Sequence, residues 1–462
     1  MIDIASSAKS RAAARSIPIT ARQKTFAPQW SLTAALAGLP LALIAVGPAI
    51  VADVGGRKLP IYASQLAIAV LVIHIGFSVL ARRNYGDVPV TARWLLVAMA
   101  LLAVPLIWST DPAAGTLAYL NFASGTVGGI AIAQIWKTIP RDYSWIDVGY
   151  TVFLIAGVGQ LLVRYSGASS VNSLHQSSPM PWGVSSVVAG ALVVGALTVM
   201  ARSTSMGRHR KYAVLIGLAT IGVALLTLTR GAIIAAAVGA IFFLWTKSGQ
   251  HRSRARRMTL GTLKQANTNV LIRLIARMLA VLIPIAAFIA IERATELRAE
   301  LNGQVYTNID TRFEMYRLAW EEFVKSPLTG TGWASFREAS LMAGESQTFP
   351  HNLVLSMLQI GGLLSLPYLV ALSLLAYRAL KHGGPYTAAV AASIAISMTQ
   401  PFFESTVCNL IVLPVAFLAG LSAAEVGGDQ STRIVAPTRS TGIRLRSARS
   451  VQPELASLQS RN

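Results

Sequence analysis

One arginine interrupts an otherwise apolar stretch of this sequence. Residues 212–246 contain no charged side chain except Arg230. At about 1.5 Å per residue, a helix of this length is far longer than a bilayer core of about 30 Å and barely long enough to cross it twice. We therefore predict two spans joined by a tight turn at Thr229-Arg230-Gly231. A guanidinium held near the membrane surface indicates an anion site, and the alternative is an arginine that extends to lipid headgroups.

A second arginine lies in a polar segment further along the chain. Arg312 follows Asp310, which we expect to cap the N-terminus of a helix. A cation in the first helical turn is opposed by the helix dipole, by roughly 0.3–1 kcal/mol. The placement is explained if the arginine and the free N–H groups of that turn bind one phosphate. A salt bridge to Glu314 or Glu292 is the alternative.

A histidine closes the same polar segment. His351 follows Pro350, which suits the first turn of a helix, and precedes an apolar run. The helix N-terminus and nearby arginines should lower its pKa, so that a neutral imidazole can act as a general base toward a hydroxyl group. A structural hydrogen bond is the alternative. Glu404 could orient a sugar hydroxyl or be an ordinary interfacial carboxylate, and His74 is expected to be a satisfied interior histidine.

The composition indicates which elements must position these residues. Of 462 residues, 53% are hydrophobic and 13% charged, against about 25% charged in a soluble protein, and the mean hydropathy is +0.55. These values exclude a soluble globular protein and a disordered chain, and the single Cys408 excludes a disulfide scaffold. The apolar runs are too long and continuous for alternating strands. The predicted fold class is all-α, a polytopic helical membrane protein.

Apolar runs place about twelve transmembrane helices in the chain, with Trp and Tyr recurring at their ends. An even number puts both termini on one side. That side carries 30 of the 40 Lys and Arg residues, so the positive-inside rule makes it cytoplasmic. The net charge of +21 then indicates topology and contact with anionic lipid, not nucleic-acid binding. The spans are predicted at residues 31–51, 61–81, 94–108, 117–136, 145–163, 182–201, 212–229, 231–245, 274–291, 353–377, 386–403 and 410–424.

One long external loop separates spans 9 and 10. It contains a predicted amphipathic helix that ends at Ser326-Pro327. Four aromatic residues recur on one stripe of that helix: Phe313, Tyr316, Trp320 and Phe323. The predicted parts of the chain are a cytoplasmic basic tail at 1–30, transmembrane helices 1–9 at 31–291, the loop at 292–351, transmembrane helices 10–12 at 352–426, and a disordered basic cytoplasmic tail at 427–462.

Several other chemistries lack the residues they need. No Asp-x-Asp pair occurs, so a metal-dependent nucleotide-sugar site has no obvious ligands, and no Cys/His spacing indicates a metal. Gly330-Thr331-Gly332 follows no predicted strand and is not expected to be a dinucleotide loop. No cofactor is predicted. Apart from His74, ionisable groups cluster on one face, which disfavours an ion-coupled transporter or a flippase of lipid-linked oligosaccharide. The flippase stays an alternative.

Three pieces of sequence share one predicted face of the membrane. They are Thr227-Leu228-Thr229-Arg230-Gly231-Ala232, then Arg312 through Trp320 with Pro327-Leu328-Thr329-Gly330-Thr331-Gly332 and Phe336, and then Pro350-His351-Asn352-Leu353 with Gly361-Gly362. In this order and spacing they resemble the O-antigen ligase and O-antigen polymerase superfamily of bacterial membrane glycosyltransferases. The resemblance covers roughly residues 212–375.

The resemblance implies an enzyme of the bacterial inner membrane with its active site on the periplasmic side. A glycan would move from an undecaprenyl-pyrophosphate carrier to an acceptor hydroxyl, which belongs to lipid A–core for a ligase and to another carrier-linked chain for a polymerase. Arg230 and Arg312 would hold the pyrophosphate and His351 would be the base. Asn352 and Glu404 would add to substrate binding. The resemblance also implies inversion at the anomeric carbon. It implies a reaction without a metal, since arginines can offset charge on the leaving group. Of the two activities, that of a ligase is narrowly preferred to that of a polymerase.

Overall fold

The computed structural model describes residues 32–54, 57–80, 88–138, 144–167, 185–203, 210–227, 229–255, 308–342, 349–382, 384–400 and 406–431, with four single positions between 282 and 293. This part of the chain is mostly helical, which confirms the predicted class, a helical membrane protein. The tail predicted at 1–30, nearly all of span 9, the first part of the loop and most of the C-terminal tail lie outside the described residues. Two units are distinguished, Met1–Ala423 and Ala424–Asn462, and only residues 424–431 of the second are described.

The helices and strands follow one another without a repeated unit. Short 3-10 turns follow α1, α3, α11 and α12. In chain order the elements are α1 (Leu32–Ala42), β1 (Pro48–Val54), β2 (Arg57–Tyr62), α2 (Ala63–Leu80), α3 (Val90–Leu101), α4 (Pro112–Thr138), α5 (Trp145–Gly167), α6 (Ser185–Arg202), α7 (Arg210–Leu226), α8 (Arg230–Ala255), α9 (Asn308–Lys325), α10 (Phe336–Met342), α11 (Leu353–Gly361), α12 (Leu366–His382), α13 (Thr387–Ser397) and α14 (Thr406–Ser431).

Many of the described helices are apolar enough for a membrane, but most of these are short. By length and composition, three stretches can cross a bilayer: Pro112–Lys137, Trp145–Val163 and Leu353–Lys381. Six further apolar helices in the described part are shorter. The third stretch is not one regular helix, because α11 ends at Gly361 and a 3-10 turn precedes α12. The total of twelve spans and the sidedness of the termini stay predictions.

A β-hairpin near the start of the chain was missed by the all-α prediction. β1 and β2 pair antiparallel, with Val54 opposite Arg57 and Ile50 opposite Ile61. The span predicted at 31–51 is therefore too long, because α1 ends at Ala42. The sequence did contain the signal: Gly55-Gly56, a dipeptide typical of turns, separates two runs rich in strand-forming residues.

A buried ion pair ties α5 to α6 within the helical core. Arg202 donates from Nε to Asp147 Oδ1 at 2.8 Å and from Nη2 to Oδ2 at 3.0 Å. The guanidinium also lies over the ring of Trp136, 5.4 Å from its centroid. Ser144 adds two hydrogen bonds to the same carboxylate, one from its backbone N–H and one from its hydroxyl. A charge pair that is fully hydrogen-bonded in this way can be buried without an unpaired charge.

The packing of α8 against α13 positions the candidate site. These two helices lie alongside each other, and α6 packs against both. The first turn of α8 meets the end of α13: a Cβ at Gly231 would lie 3.1 Å from Gln400 Cγ and 3.6 Å from Ile396 Cγ1. The start of α8 is therefore in contact with the segment that follows α13.

Candidate functional site

Arg230 lies at the first position of α8, directly after the break that separates it from α7. α7 ends at Leu226, and the backbone carbonyl of Thr229 accepts a hydrogen bond from Ile233 N at 3.1 Å, so Thr229 occupies the N-cap position. The Thr227 and Thr229 hydroxyls lie 3.1 Å apart. Two helices with a tight break at Arg230 agree with the prediction. Arg230 thus lies at the positive end of the α8 dipole. The dipole and the guanidinium both favour binding of an anion near this turn.

Arg312 lies on α9 in a different setting from the one predicted. α9 begins at Asn308, so Asp310 lies inside the first turn and is not the N-cap, and Arg312 follows that turn. Among the described residues Arg312 has no ion-pair partner, and Glu314 pairs with Arg317 instead. Arg312 is only partly exposed, and its burial lowers the pKa of the guanidinium. A partly buried cation of this kind can bind an anionic ligand.

The face of α9 that packs inward is not the aromatic stripe. Met315 and Ala319 are fully buried and form a small cluster with Phe336 of α10. Phe313 and Trp320, on the predicted stripe, are 67% and 52% exposed. The helical period was right, but the fully buried side chains of α9 in this cluster are Met315 and Ala319 and not members of the aromatic stripe. The helix ends at Lys325, before Ser326-Pro327, as predicted.

Two glycine-containing turns join the segment after α9 to the end of α11. Gly330 has φ +67° and Gly362 has φ +52°, a left-handed conformation that residues with a side chain rarely adopt. A Cβ at Gly330 would collide with the carbonyl of Ile360, so the backbones are in direct contact. The N–H of Leu363 donates to the carbonyl of Pro327 at 2.9 Å. The motif pieces Pro327–Gly332 and Gly361-Gly362 are thus two halves of one backbone contact.

Trp333 anchors the same turn in the helical core. Its side chain is fully buried, and its Nε1 donates to Leu102 O at 2.7 Å. Its carbonyl accepts a hydrogen bond from the Ser109 hydroxyl at 2.6 Å. The ring packs on Tyr119 and Phe122 at centroid distances of 5.6 and 5.5 Å. Because α9 is joined to this turn by Ser326, the anchor limits how far Arg312 can move.

His351 adopts a left-handed backbone conformation just before α11. Its φ is +60°, which is uncommon for any residue with a side chain. Asn352 is the N-cap: its Oδ1 accepts from Val354 N at 3.0 Å and from Leu355 N at 3.2 Å. Pro350 therefore lies outside the helix, and the prediction that it occupies the first turn is wrong. Such backbone strain occurs where surrounding contacts fix it, often at functional sites.

The surroundings of His351 favour a neutral imidazole. Burial, followed by the positive charge of Arg312, lowers the pKa of His351 to about 4, while a hydrogen bond with Gln400 acts in the opposite direction. At neutral pH the imidazole then carries no charge and retains a basic nitrogen. The expected direction of the pKa change agrees with the structure. Its main cause is burial, which the sequence reasoning had not included.

The three predicted residues come together around the end of α13. The charges of Arg230 and Arg312 act on each other, and Arg312 also acts on His351. Two hydrogen bonds of 3.4 Å hold this arrangement, because Tyr316 Oη and Asn352 Nδ2 both donate to Met398 O. Two cations beside one neutral base can bind a diphosphate and accept a proton from a nearby hydroxyl.

The remaining candidates have separate outcomes. Asn352 has a structural role as a helix cap, and its assignment to substrate binding stays a prediction. Glu404 lies outside the described residues. His74 is hydrogen-bonded, as expected, with Nε2 3.0 Å from the Thr33 hydroxyl, but it is half-buried and not fully interior. Gln400 was missed, although a glutamine that ends an apolar run before a proline was visible in the sequence. In the described part of the chain, no three His, Cys, Asp or Glu side chains group closely enough to hold a metal ion.

Fold and site together define a helical membrane protein with a polar cluster where several helices end. Residues 213–370 match a protein-family model described as O-antigen ligase. This match confirms, over that segment, the resemblance to the O-antigen ligase and polymerase superfamily drawn from the three sequence pieces. The matched segment contains Arg230, Arg312 and His351 but ends before Gln400. No curated protein matches the chain.

Proposed function

We propose that this protein transfers a glycan from undecaprenyl pyrophosphate to an acceptor hydroxyl, with lipid A–core as the acceptor. The family match supports an activity of the O-antigen ligase or polymerase type. The charge distribution supports a site on the periplasmic face of the bacterial inner membrane, with both termini in the cytoplasm. Asn352, beside the base, and Glu404 are further candidates for contact with the sugars.

One observation carries the proposal: a partly buried arginine acts on a neutral, partly buried histidine. Arg312 comes from the loop helix α9 and His351 from the start of α11, while Arg230 comes from α8. A cation that only stabilised the fold would be expected next to a carboxylate, yet no described carboxylate pairs with Arg312. A pyrophosphate supplies negative charge that Arg312 and Arg230 can bind, and an acceptor hydroxyl supplies the proton that His351 can take.

The reaction follows as a single displacement. His351 removes the proton of the acceptor hydroxyl while its oxygen attacks the anomeric carbon. The bond from that carbon to the pyrophosphate oxygen breaks, and undecaprenyl pyrophosphate leaves with the electron pair. Arg230 and Arg312 stabilise the negative charge that grows on this leaving group. Attack from the side opposite the leaving group inverts the anomeric centre. The proposal uses no metal, because the two guanidinium groups perform the role of the counter-ion.

A reconstitution experiment tests this function. The full-length protein is placed in liposomes with an undecaprenyl-pyrophosphate-linked glycan and either lipid A–core or a second carrier-linked glycan. The proposal expects a new glycosidic bond to lipid A–core and release of undecaprenyl pyrophosphate, both lost in Arg312→Ala and retained in the exposed control Arg337→Ala.

The other outcomes separate the alternatives. A lengthened carrier-linked glycan without any product on lipid A–core would make the protein a polymerase of the same superfamily. Movement of the donor across the bilayer with no new bond would make it a flippase and would overturn the proposal. The two acceptors are compared in the same liposome preparation, so that a difference between them cannot come from the amount of inserted protein.

A further inference from the structure

A buried amide lies at the centre of the candidate site, outside the segment that matches the family. Gln400 follows α13 and is 2% exposed. The polar cluster around it draws on four parts of the chain: α8, α9, the residues before α11, and the end of α13. A glutamine buried at such a junction must have its amide hydrogen-bonded, so its partners show what it does.

Two contacts define the orientation of the Gln400 side chain. It makes a hydrogen bond with His351. On the other side, a Cβ at Gly231 would lie 3.1 Å from Gln400 Cγ and 3.4 Å from its Nε2. The amide nitrogen thus lies toward the first turn of α8, and the amide oxygen is the atom that can accept an N–H from the imidazole. A carbonyl acceptor favours the protonated imidazole, which agrees with the direction in which this bond changes the pKa of His351.

The backbone conformation of His351 indicates that neighbouring groups must hold this residue in place. With φ +60°, the residue occupies a conformation that is held only when neighbouring groups fix it. The next residue, Asn352, is held by two contacts, because its side chain caps α11 and donates to Met398 O. Neither contact restrains the imidazole itself. Gln400, two residues after Met398, is positioned to do so.

We propose that Gln400 is a positioning residue that fixes the orientation and tautomer of the His351 imidazole and couples it to the start of α8, where Arg230 binds the donor. One ring nitrogen gives its hydrogen to the amide oxygen, so the other nitrogen is left unprotonated and can take the proton of the acceptor hydroxyl. A neutral orienting group holds the ring without supplying a negative charge that would make imidazolium the stable form at neutral pH. This inference deepens the proposed function and rests on it for its catalytic meaning.

The groups that act on His351 are the ones that any test must hold constant. On α9 they are Arg312, whose charge opposes imidazolium, and Tyr316, whose Oη donates to Met398 O. On α8 the charged group is Arg230, whose charge and that of Arg312 repel each other. None of these is altered by a substitution at Gln400, so a change in the titration of His351 can be attributed to the amide.

The test measures the titration of His351 directly, without any substrate. The full-length protein is labelled with ¹⁵N-histidine, and the His351 signals are assigned by their loss in His351→Gln. Gln400→Glu should raise the pKa of His351 by about one to three units, because a carboxylate stabilises imidazolium more than an amide does. Gln400→Ala should lower it and should also mix the two neutral tautomers, which ¹⁵N shifts distinguish. Gln359→Glu is the control, because Gln359 is equally buried but bonds Thr331. It should leave His351 unchanged.

A backbone variant gives an independent measurement. Gly231→Ala leaves Gln400 intact but pushes on its side chain, and should shift the same signals, whereas Gly222→Ala has open space around it and should not. Unchanged His351 signals in both Gln400 variants, in folded protein, would overturn the inference. That outcome differs from failure of the proposed function, which would show as wild-type glycan transfer by His351→Gln. The positioning role would also be overturned if Gln400→Glu shifted the pKa of His351 while Gln400→Ala left the His351 tautomer unchanged.

Discussion

The positive charge of Arg312 acts on the imidazole of His351, although the two residues belong to different helices. Arg312 lies on α9, His351 precedes α11, and the charge of the arginine helps burial to lower the pKa of the histidine. The group proposed to bind the leaving pyrophosphate therefore also keeps the proposed base neutral. Binding of the anion should weaken this effect, so that the imidazole becomes more basic when the donor is present.

Loss of Arg312 should affect both binding and turnover. Because the leaving group gains charge in the transition state, we expect Arg312→Ala to lower the rate of transfer by about 10²–10³-fold. Without the guanidinium, imidazolium is less disfavoured, so the acidic limb of the pH–rate profile should move to higher pH. Steady-state transfer between pH 4 and 8 measures both effects. A wild-type rate in correctly inserted Arg312→Ala would remove this residue from the mechanism.

Arg230 should not tolerate a lysine. A lysine retains the charge but lacks the planar fork that can bridge two phosphate oxygens, so Arg230→Lys should lose nearly as much donor affinity as Arg230→Ala. The measurement is binding of undecaprenyl pyrophosphate to the purified protein. Arg210→Lys, at the exposed opposite end of α7, is the matched control and should bind normally. Normal binding by Arg230→Lys would show that charge alone is sufficient.

The contact between the two glycine turns should be sensitive to one methyl group. Gly330→Ala places a Cβ against the carbonyl of Ile360 at a positive φ, so we expect a loss of stability of at least about 1–2 kcal/mol. Thermal unfolding in detergent, followed by tryptophan fluorescence, should show a lower midpoint. Gly159→Ala lies in a helix with open space around it and should have little effect. If the two variants unfolded at the same temperature, the turn contact would not contribute to stability.

The sidedness of the site can be tested separately from its chemistry. The division of Lys and Arg, 30 against 10, predicts that Arg230, Arg312 and His351 face the periplasm. Reporter fusions after Gly249 and after Gly303 should report the cytoplasm and the periplasm respectively. If both fusions reported one compartment, the single span predicted between them would be wrong, and a cytoplasmic report after Gly303 would put the loop on the wrong side for a lipid-linked donor.

Features that depend on local pattern could be predicted from the sequence. The helical class, the break at Arg230 and the end of α9 before Ser326-Pro327 follow from hydropathy, spacing and proline, which act over a few residues. The hairpin β1–β2 was missed because apolar residues in a short strand and in a helix end look alike. Asp310 was misplaced as a cap because helix ends are the least determined positions in a periodic pattern.

Features that depend on long-range packing could not be read from the sequence. Which face of α9 packs inward depends on Phe336, which comes from another helix. The role of Gln400 depends on its approach to His351 and Gly231, and no spacing rule connects these three positions. The left-handed backbone of His351 is likewise a result of contacts around it, since this conformation is uncommon for any residue other than glycine, histidine included.

The most direct test of the proposed mechanism compares His351→Gln with the wild-type protein over a range of pH. Glutamine can hydrogen-bond an acceptor hydroxyl but cannot take its proton, and general-base help typically contributes about 10²–10⁴-fold. The wild-type rate of transfer to lipid A–core should be constant near neutrality and fall only as the pH decreases toward about 4, where His351 becomes protonated. His351→Gln should bind undecaprenyl pyrophosphate normally, transfer glycan at least about 10²-fold more slowly, and lack this acidic limb. Transfer by His351→Gln near the wild-type rate, with the acidic limb retained, would show that His351 is not the base.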